Sequence, residues 1–503
     1  DGRRKLAVLG DMAELGRFED EGHREVGRKA ATAVDYLVTK GERAEIVAQE
    51  ALRAGMPQDR VAITYTPEEA ERTVRGIVRS GDIVLVKGSM VARMELIAQR
   101  LLVDPEQAVD VLERQSPAWR QVQIIAAHRP TWVEIDLSAV AHNVRRIVEE
   151  VGPEVRVLAA LKADAYGHGA VQVARTAMAN GASMLGVACL PEAQELRRAG
   201  IDAPILVLGY TPAWQARDAL LIDLRTTIFS TDAAEALSRA AEGLDRDAIV
   251  HVKVDTGMGR LGLKPEEVVA FLRKVSALPR LELEGLFTHF AVADTVDAWG
   301  QAGWARDYTE GQIATFTEVL DEVKEAGFEI PLAHAANSAA LFAFPHSRFN
   351  MVRPGIALYG LDPSPDVKCP PDFRSVLVFK TQVAQVKEVP EGAHISYGAE
   401  FRTERPSRIA VIPVGYGDGF RRSPRNWGEV LVRGQRAPVV GRVTMDQSML
   451  DITDIPEVRA GDEVILIGEQ GEDRITAEHV AEQLGTINYE VVSAILARVP
   501  RLH

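Results

Sequence analysis

The sequence predicts an α/β protein whose largest part is a (β/α)8 barrel, with a small Rossmann-like α/β domain before it and a β-rich domain after it. Between residues 155 and 358, eight short apolar runs recur, each followed by an amphipathic stretch, a pattern typical of this barrel. After about residue 373, strand-like runs are separated by Gly and Pro. Residues 1 to about 107 alternate strand and helix signals, which predicts a small parallel sheet.

The individual elements follow from local periodicity. The eight predicted barrel strands are 155–162, 184–189, 204–209, 225–230, 249–256, 283–290, 331–338 and 350–358. The predicted strands of the β-rich domain are 376–386, 408–415, 428–434 and 462–468, before a helix at 476–485 capped by Thr476. The leading domain has predicted strands at 5–10, 36–41 and 81–89 and helices at 23–31 and 91–102.

These patterns divide the chain into 1–107, a linker at 108–128 that is helical around Ala108–Arg114, the barrel at 129–372 and the β-rich domain at 373–503.

Composition excludes several classes of function. The net charge of −14 argues against nucleic acid as a partner, because phosphate binding needs a basic surface. The only two cysteines, Cys189 and Cys369, do not make a disulfide scaffold or a cysteine-rich metal site, and they fit a reducing compartment. No metal site is predicted, and no apolar run is long enough to cross a membrane. We expect a cytoplasmic protein without an export signal, and, since residue 1 is Asp, a piece of a longer one.

Polar and Gly-rich segments follow the barrel strands, where barrel enzymes place their catalytic groups. Lys162 ends the first strand, and the later segments are D-T-G-M-G-R-L-G (255–262), T-H-F (288–290), H-A-A-N-S (334–338) and R-P-G (353–355). A desolvated lysine forms Schiff bases readily, although an isolated lysine ending a strand is more often a surface residue. Ser338 and Gly355 could supply a hydroxyl and a backbone N–H to a phosphate.

Residues 129–503 resemble the alanine racemase family. The resemblance starts at R-P-T-W-V-E-I-D-L-S-A-V-A-H-N (129–143), and the specific cofactor signature is A-L-K-A-D-A-Y-G-H-G (160–169). Further motifs follow in the family's order: K-V-D-T-G-M-G-R-L-G, H-A-A-N-S-A-A, R-P-G-I-A-L-Y-G, I-S-Y-G-A, V-G-Y-G-D-G, G-R-V-T-M-D-Q and L-G-T-I-N-Y-E. The resemblance implies a fold-type III pyridoxal 5'-phosphate enzyme that interconverts L- and D-alanine for peptidoglycan. It also implies a head-to-tail homodimer with shared active sites.

The resemblance also implies residue roles. Lys162 holds the cofactor as an internal aldimine and is the base on one face of the substrate Cα, and Tyr397 is the base on the other face. The remaining cofactor residues are Tyr166, His289, Asn337, Ser338, Gly355, Ile356 and Tyr489, with Arg353 facing the pyridine nitrogen and Arg260 the phenolic oxygen. Substrate contacts are implied for Arg260 and for Met445 and Asp446 of the partner subunit. His289, His334 and Lys253, a lysine carbamylated in many members, support these groups.

The chemistry agrees with these implied roles. Racemisation needs a proton removed from one face and returned on the other, which two bases accomplish. Burial favours a neutral lysine but raises a tyrosine pKa, so Tyr397 needs a neighbour such as His289 or Arg353. An arginine stays protonated and donates to the ring nitrogen, which limits side reactions.

Some assignments remain open. Taken alone, Tyr397 and the two histidines fit ordinary structural positions, and Tyr416 fits an active-site entrance and simple packing equally well. Thr444 stands where many members carry Cys, and we expect little effect from that difference.

The leading domain resembles the C-terminal domain of the Mur ligase that adds D-alanyl-D-alanine to the cell-wall nucleotide precursor. The matching pieces are V-L-G-D-M-A-E-L-G (8–16), His23 and G-D-I-V-L-V-K-G-S (81–89). The phosphate-binding motif G-x-x-x-x-G-K-[ST] occurs nowhere in this sequence. We therefore expect no ligase activity from this piece and interpret Lys87 and Ser89 as strand-end structure.

Three alternatives compete with an alanine racemase. They are a racemase of broader amino-acid specificity, another barrel-type pyridoxal-phosphate enzyme such as a decarboxylase, and a non-catalytic scaffold attached to a ligase. Arg353, in place of an acidic partner for the ring nitrogen, argues against a decarboxylase, and the Lys162/Tyr397 pair argues against a scaffold.

Overall fold

The computed structural model describes residues 3–12, 15–89, 92–103, 112, 129–295 and 303–503. The chain forms two compact units, Asp1–His128 and Arg129–His503. The predicted linker and its helix around Ala108–Arg114 lie outside the described residues, apart from Leu112.

The first unit has a parallel sheet, as predicted, and this sheet has four strands where three were expected. In spatial order its strands are Val61–Thr64, Tyr36–Lys40, Lys5–Gly10 and Ile83–Lys87. Its helices are Glu19–Ala33, Ala44–Arg53, Pro67–Ile77 and Glu95–Leu101. Val61–Thr64 was not predicted, because four residues are too few to show a clear period.

The second unit contains the predicted closed barrel of eight parallel strands. The strands are Arg156–Ala160, Met184–Val187, Ile205–Val207, Leu224–Ile228, Ala248–Lys253, Leu281–Phe287, Leu332–His334 and Met351–Val352. Its helices are Leu137–Val151, Ala170–Ala179, Leu190–Arg198, Ala216–Leu221, Thr231–Leu244, Val268–Val275, Trp304–Glu325 and Ser338–Ala343.

The eighth strand is much shorter than predicted. Only Met351–Val352 is extended, and Ile356–Tyr359 forms a 3-10 turn. Pro354 has no N–H to give to a ladder, and the apolar side chains of the turn are buried. The run of apolar residues therefore reflects burial and not a continuous strand.

The β-rich part is a ten-stranded sheet. Its spatial order is Gln385–Val389, Ser407–Ile412, Ser448–Asp451, Gln435–Val440, Glu429–Val432, Glu463–Gln470, Leu377–Gln382, Thr131–Ile135 and Arg501–Leu502, with Asp473–Ile475 paired on Glu463–Gln470. A separate two-stranded sheet joins His394–Ile395 and Phe401–Arg402. The last two helices are Ala477–Leu484 and Asn488–Ser493.

Two features of this sheet differ from the sequence prediction. Thr131–Ile135, expected within the barrel segment, pairs with Leu377–Gln382 in the β-rich sheet. The single predicted strand 376–386 is two strands, because Val383 N bonds to Asp462 O and Ala384 N to Val411 O, which carries the chain from one strand partner to another. The Thr476 cap is confirmed, since its side chain accepts a hydrogen bond from His479 N.

Among the described residues, no helix combines the length and apolar character needed to cross a membrane.

Candidate active site

A cavity of about 270 Å³ opens at the carboxyl ends of the barrel strands. All ten residues predicted to bind the cofactor line it, together with Lys253. The lining residues are Ala160, Lys162, Tyr166, Ala188, Leu208, Gly209, Lys253, Arg260, Leu261, Phe287, His289, Asn337, Ser338, Arg353, Gly355, Ile356 and Tyr489. Segments far apart in sequence are thus brought to one place, where barrel enzymes build their sites.

The cavity contains two lysines, Lys162 and Lys253, whose amine pKa values are lowered. Burial, and then the charge of Arg260, lower the pKa of Lys162. Burial, then Arg260 and Arg353, lower the pKa of Lys253 to about 8. Desolvation of this kind favours the neutral, nucleophilic amine. The surrounding positive charges also suit an anionic ligand.

Arg353, just after the eighth strand, is held by buried acceptors. Its Nη2 donates to Thr288 O at 2.7 Å and Ala335 O at 2.8 Å, and Nη2 also approaches His289 Nδ1 at 3.2 Å. Burial, and then Arg260, lower its pKa to about 9, so Arg353 is a cation at neutral pH. The guanidinium therefore offers donors and no acceptor to the cavity.

A chain of two histidines connects Arg353 to a carboxylate below the cavity. Arg353 Nη1 lies 2.9 Å from His334 Nδ1, His334 Nε2 lies 2.9 Å from His251 Nδ1, and His251 Nε2 lies 2.8 Å from Glu284 Oε2. Burial lowers the pKa of both histidines, so both are neutral. Because arginine only donates, His334 carries its proton on Nε2, and so does His251. In this series of hydrogen bonds, Arg353 donates to His334, His334 donates to His251, and His251 donates to Glu284.

The loop bearing Arg260 is organised by one carboxylate. Asp255 accepts hydrogen bonds from the backbone N–H groups of Gly257, Gly259 and Arg260 at 3.0 to 3.1 Å. Gln312 supports the same region by donating to Thr256 Oγ1 and His289 O. The local D-T-G-M-G-R sequence therefore fixes the backbone that presents Arg260.

The opposite end of the cavity gathers hydroxyl and backbone donors. Ser338 Oγ accepts from Gly355 N at 2.8 Å and Ala357 N at 3.3 Å, and the Tyr166 and Tyr489 rings lie 6.0 Å apart. A Cβ at position 355 would lie 2.4 Å from Tyr166 Oη, so only glycine leaves this cradle open. A desolvated lysine, a buried arginine and a cluster of hydroxyl groups fit pyridoxal phosphate.

Three predicted site residues lie elsewhere, on the exposed surface of the chain. Tyr397 is 67 % exposed and Met445 53 % exposed, and neither they nor Asp446 line the cavity. Tyr416, which the sequence left open, is also exposed. A single chain thus brings together the predicted cofactor residues but not the second predicted base.

Sequence reasoning missed several residues. Ala160, Ala188, Leu208, Gly209, Leu261 and Phe287 also line the cavity, and their position near strand ends was the available signal. His251 and Glu284 lie within strands and carried no signal in the sequence.

Family comparisons agree with this geometry. Residues 135–363 match the alanine racemase N-terminal domain and residues 376–503 match its C-terminal domain. Residues 1–90 match the glutamate ligase domain of Mur ligases. The chain is 47 % identical over 373 residues to the alanine racemase of Halothermothrix orenii, covering 74 % of this chain and 96 % of that relative.

Solved structures show the same likeness. An alanine racemase of Clostridium difficile 630 aligns with a TM-score of 0.70 and 40 % identity, covering 75 % of this chain and 96 % of that one. A histidine racemase from Leuconostoc mesenteroides aligns with a TM-score of 0.67 and 31 % identity, covering 75 % and 98 %.

Proposed function

The chain belongs to the alanine racemase family, a family of pyridoxal-phosphate-dependent isomerases, and we propose that it interconverts L-alanine and D-alanine with Lys162 and Tyr397 as its two bases. The observation that carries the proposal is the cavity, in which all ten predicted cofactor residues meet around a buried lysine.

Each group in the cavity has a task in this proposal. Lys162 anchors the cofactor and exchanges a proton at the substrate Cα on one face. Arg353 donates a hydrogen bond to the ring nitrogen, and Ser338 and Tyr166 hold the phosphate end. When bound, pyridoxal phosphate supplies the electron sink that acidifies the Cα proton. Arg260 pairs with the substrate carboxylate, an arrangement that charge-assisted hydrogen bonds favour.

Lys253 supports Arg260 in this proposal, as a carbamate. As an ammonium it would repel the neighbouring Arg260 and Arg353, which both lower its pKa. A carbamate on its amine would replace that repulsion with attraction. Mass spectrometry of tryptic peptides from bicarbonate-equilibrated protein, after trapping of the carbamate, tests the modification, and an unmodified Lys253 under all conditions would contradict it.

The second base comes from a second copy of the chain. Tyr397 and the Met445–Asp446 segment are exposed and outside the cavity of their own chain. A closed homodimer places the same patch of each subunit against the other. We therefore expect a dimer with two sites, each combining Lys162 of one chain with Tyr397 of its partner.

Mixing two inactive variants tests this arrangement. Lys162→Ala and Tyr397→Phe should each lose racemisation of L-alanine, measured as D-alanine formation with added pyridoxal phosphate. After unfolding and refolding together, half the dimers are mixed and each carries one intact site, so about a quarter of the parental activity should return. Lys162→Ala mixed with Lys162→Ala/Tyr397→Phe is the matched control and should stay inactive.

The outcomes separate the hypotheses. No recovery in the mixture would contradict sites shared between chains. Full racemisation by Lys162→Ala would contradict the role of Lys162, whereas no racemisation by the folded, cofactor-loaded parent would sink the enzyme assignment and favour a scaffold.

A broader amino-acid racemase is the second candidate, because one structural neighbour is a histidine racemase. The cavity of about 270 Å³ lies near the lower end of ligand sites, roughly 300 Å³, and favours a small side chain beside the cofactor. Comparing kcat/KM for alanine, serine and histidine tests this, and a preference for histidine would overturn the alanine assignment.

For the leading unit, we propose a ligase remnant without ligase activity of its own, attached to a cytoplasmic enzyme that supplies D-alanine for peptidoglycan. The Mur ligase match at residues 1–90 and the lack of a P-loop motif in this sequence support it. ATP turnover in the presence of D-alanyl-D-alanine and the cell-wall nucleotide precursor would contradict the proposal.

A further inference from the structure

The residues directly after Lys162 form a left-handed turn. Ala163, Asp164, Ala165 and Tyr166 have φ values between +53° and +56°. For residues other than glycine this conformation is sterically unfavourable. Such strain persists only where the surroundings hold it, and it concentrates at functional sites.

One carboxylate holds the start of this turn. Glu192, in the first turn of helix Leu190–Arg198, accepts a hydrogen bond from Ala163 N at 2.8 Å through Oε1. Its Oε2 accepts from Ala188 N at 2.7 Å. Ala188 follows the second barrel strand and lines the cavity. Glu192 therefore ties the backbone beside Lys162 to the neighbouring strand end.

The far end of the turn has separate supports. Asp164 Oδ1 accepts from Ala170 N at 2.7 Å, and His168 Nδ1 lies within 3.0 Å of Ala165 O and Tyr166 O. These contacts lie two or more residues from Lys162. Among the side chains that hold the turn, Glu192 contacts the position next to the lysine.

Glu192 also supplies negative charge near the Lys162 amine. Arg260, Arg353, Lys253, His289 and the Tyr166 ring also lie around that amine. The cations favour the neutral amine, and Glu192 opposes them.

We infer that Glu192 is a positioning residue for Lys162, which holds the left-handed turn beside the lysine in place. The inference rests on the proposed role of Lys162 as the cofactor anchor. It assigns Glu192 no contact with the substrate.

The experiment follows capture of pyridoxal phosphate by the cofactor-free full chain, with no amino acid present. The rate is read from absorbance, and borohydride reduction with peptide mapping identifies the modified lysine. Glu192→Ala removes both acceptors and the charge, while Glu192→Gln keeps one carbonyl acceptor. Glu195→Gln, an exposed position on the same helix, is the matched control.

Glu192→Ala should capture the cofactor roughly tenfold more slowly, since it loses two charge-assisted hydrogen bonds. In Glu192→Gln the pH profile of capture should move to lower pH, because removing the negative charge favours the neutral amine. A merely structural carboxylate would not move that profile. Glu195→Gln should match the parent in rate and profile.

Unchanged rates and pH profiles in both Glu192 variants would overturn the inference. If the parent itself captures no cofactor on Lys162, the proposed anchor fails instead, so the two failures are distinguishable. Circular dichroism verifies folding, and should Glu192→Ala not fold, the Glu192→Gln profile decides.

Discussion

The cavity and the three exposed residues Tyr397, Met445 and Asp446, here called the exposed patch, are built in opposite ways. In the cavity, Arg353 and its histidine chain are buried and hydrogen-bonded through to Glu284. In the patch, Tyr397 presents most of its surface to solvent. The comparison teaches that one chain preorganises the cavity lined by the predicted cofactor residues but leaves the proposed second base exposed to solvent.

The patch is nevertheless anchored. Arg498 pairs with Asp446 at 2.8 Å and donates to Met445 O at 3.2 Å, while its Nε bonds to the buried Asp418 at 2.8 Å. Asp418 Oδ2 in turn accepts from Gly415 N. Through Arg498, Asp418 of the V-G-Y-G-D-G motif thus holds the Met445–Asp446 segment in shape within a single chain.

The sharpest difference between the two regions should appear in cofactor binding. Lys162→Ala and Tyr397→Phe should each reduce kcat about 10²- to 10⁴-fold, the usual contribution of a catalytic base. Only Lys162→Ala should lose covalent cofactor, measured by borohydride trapping, because Tyr397 lies outside the cavity of its own chain. Lys274→Ala, an exposed lysine, is the control. If Tyr397→Phe also lost trapped cofactor, the expected difference between the cavity and the exposed patch would be contradicted.

Lowering the pH should reduce the free energy of unfolding through the buried histidines of the barrel. Burial lowers the pKa of His168 to about 4, and of His251, His289 and His334 as well. A group whose folded pKa is depressed stabilises the protein above its unfolded pKa, and that stability is lost as pH falls. For His168 the loss between pH 7 and pH 5 is about 2 kcal/mol, and the others add to it. Denaturant titrations across that range measure the trend, and a flat profile would contradict it.

Filling the space between Gly355 and Tyr166 should weaken cofactor binding without affecting the exposed patch. In Gly355→Ala the new Cβ would lie 2.4 Å from Tyr166 Oη, and overpacking of this kind costs about 1–3 kcal/mol. The Kd for pyridoxal phosphate should rise about 10- to 100-fold, measured by equilibrium titration. Gly311→Ala has open space around its Cβ and should bind normally. An unchanged Kd for Gly355→Ala would show that the cradle is not a cofactor contact.

The smallest effect should come from Glu284, the carboxylate that accepts the last hydrogen bond of the series through His334 and His251. Glu284→Ala removes the acceptor of the buried His251 N–H, which costs about 1–3 kcal/mol of stability. The free energy of unfolding measures this loss, and Glu282→Ala, exposed on the same strand, is the control. In the parent, ¹⁵N NMR should show both histidines protonated on Nε2, and an Nδ1 proton on His334 would contradict the assigned chain.

Much of this architecture was predictable because its signals are local. Apolar runs that alternate with amphipathic stretches predicted the barrel, and Thr476 indicated the start of the helix that it caps. Most of the predicted cofactor residues follow barrel strands, whose carboxyl ends lie at one rim. The sheet that Thr131–Ile135 joins was not predictable, because a short apolar strand fits either neighbouring sheet until its partner strand is known.

The sequence by itself determined the fold class, the family and the identity of the groups at the barrel mouth, since each is written in contiguous motifs. The tertiary structure decided which groups act on which. His251 and Glu284, 33 positions apart on adjacent strands, meet only through strand pairing, and Glu192 reaches Ala163 from the next helix. Such contacts depend on which elements pack together and how their side chains are directed across the interface, and sequence spacing alone does not specify this.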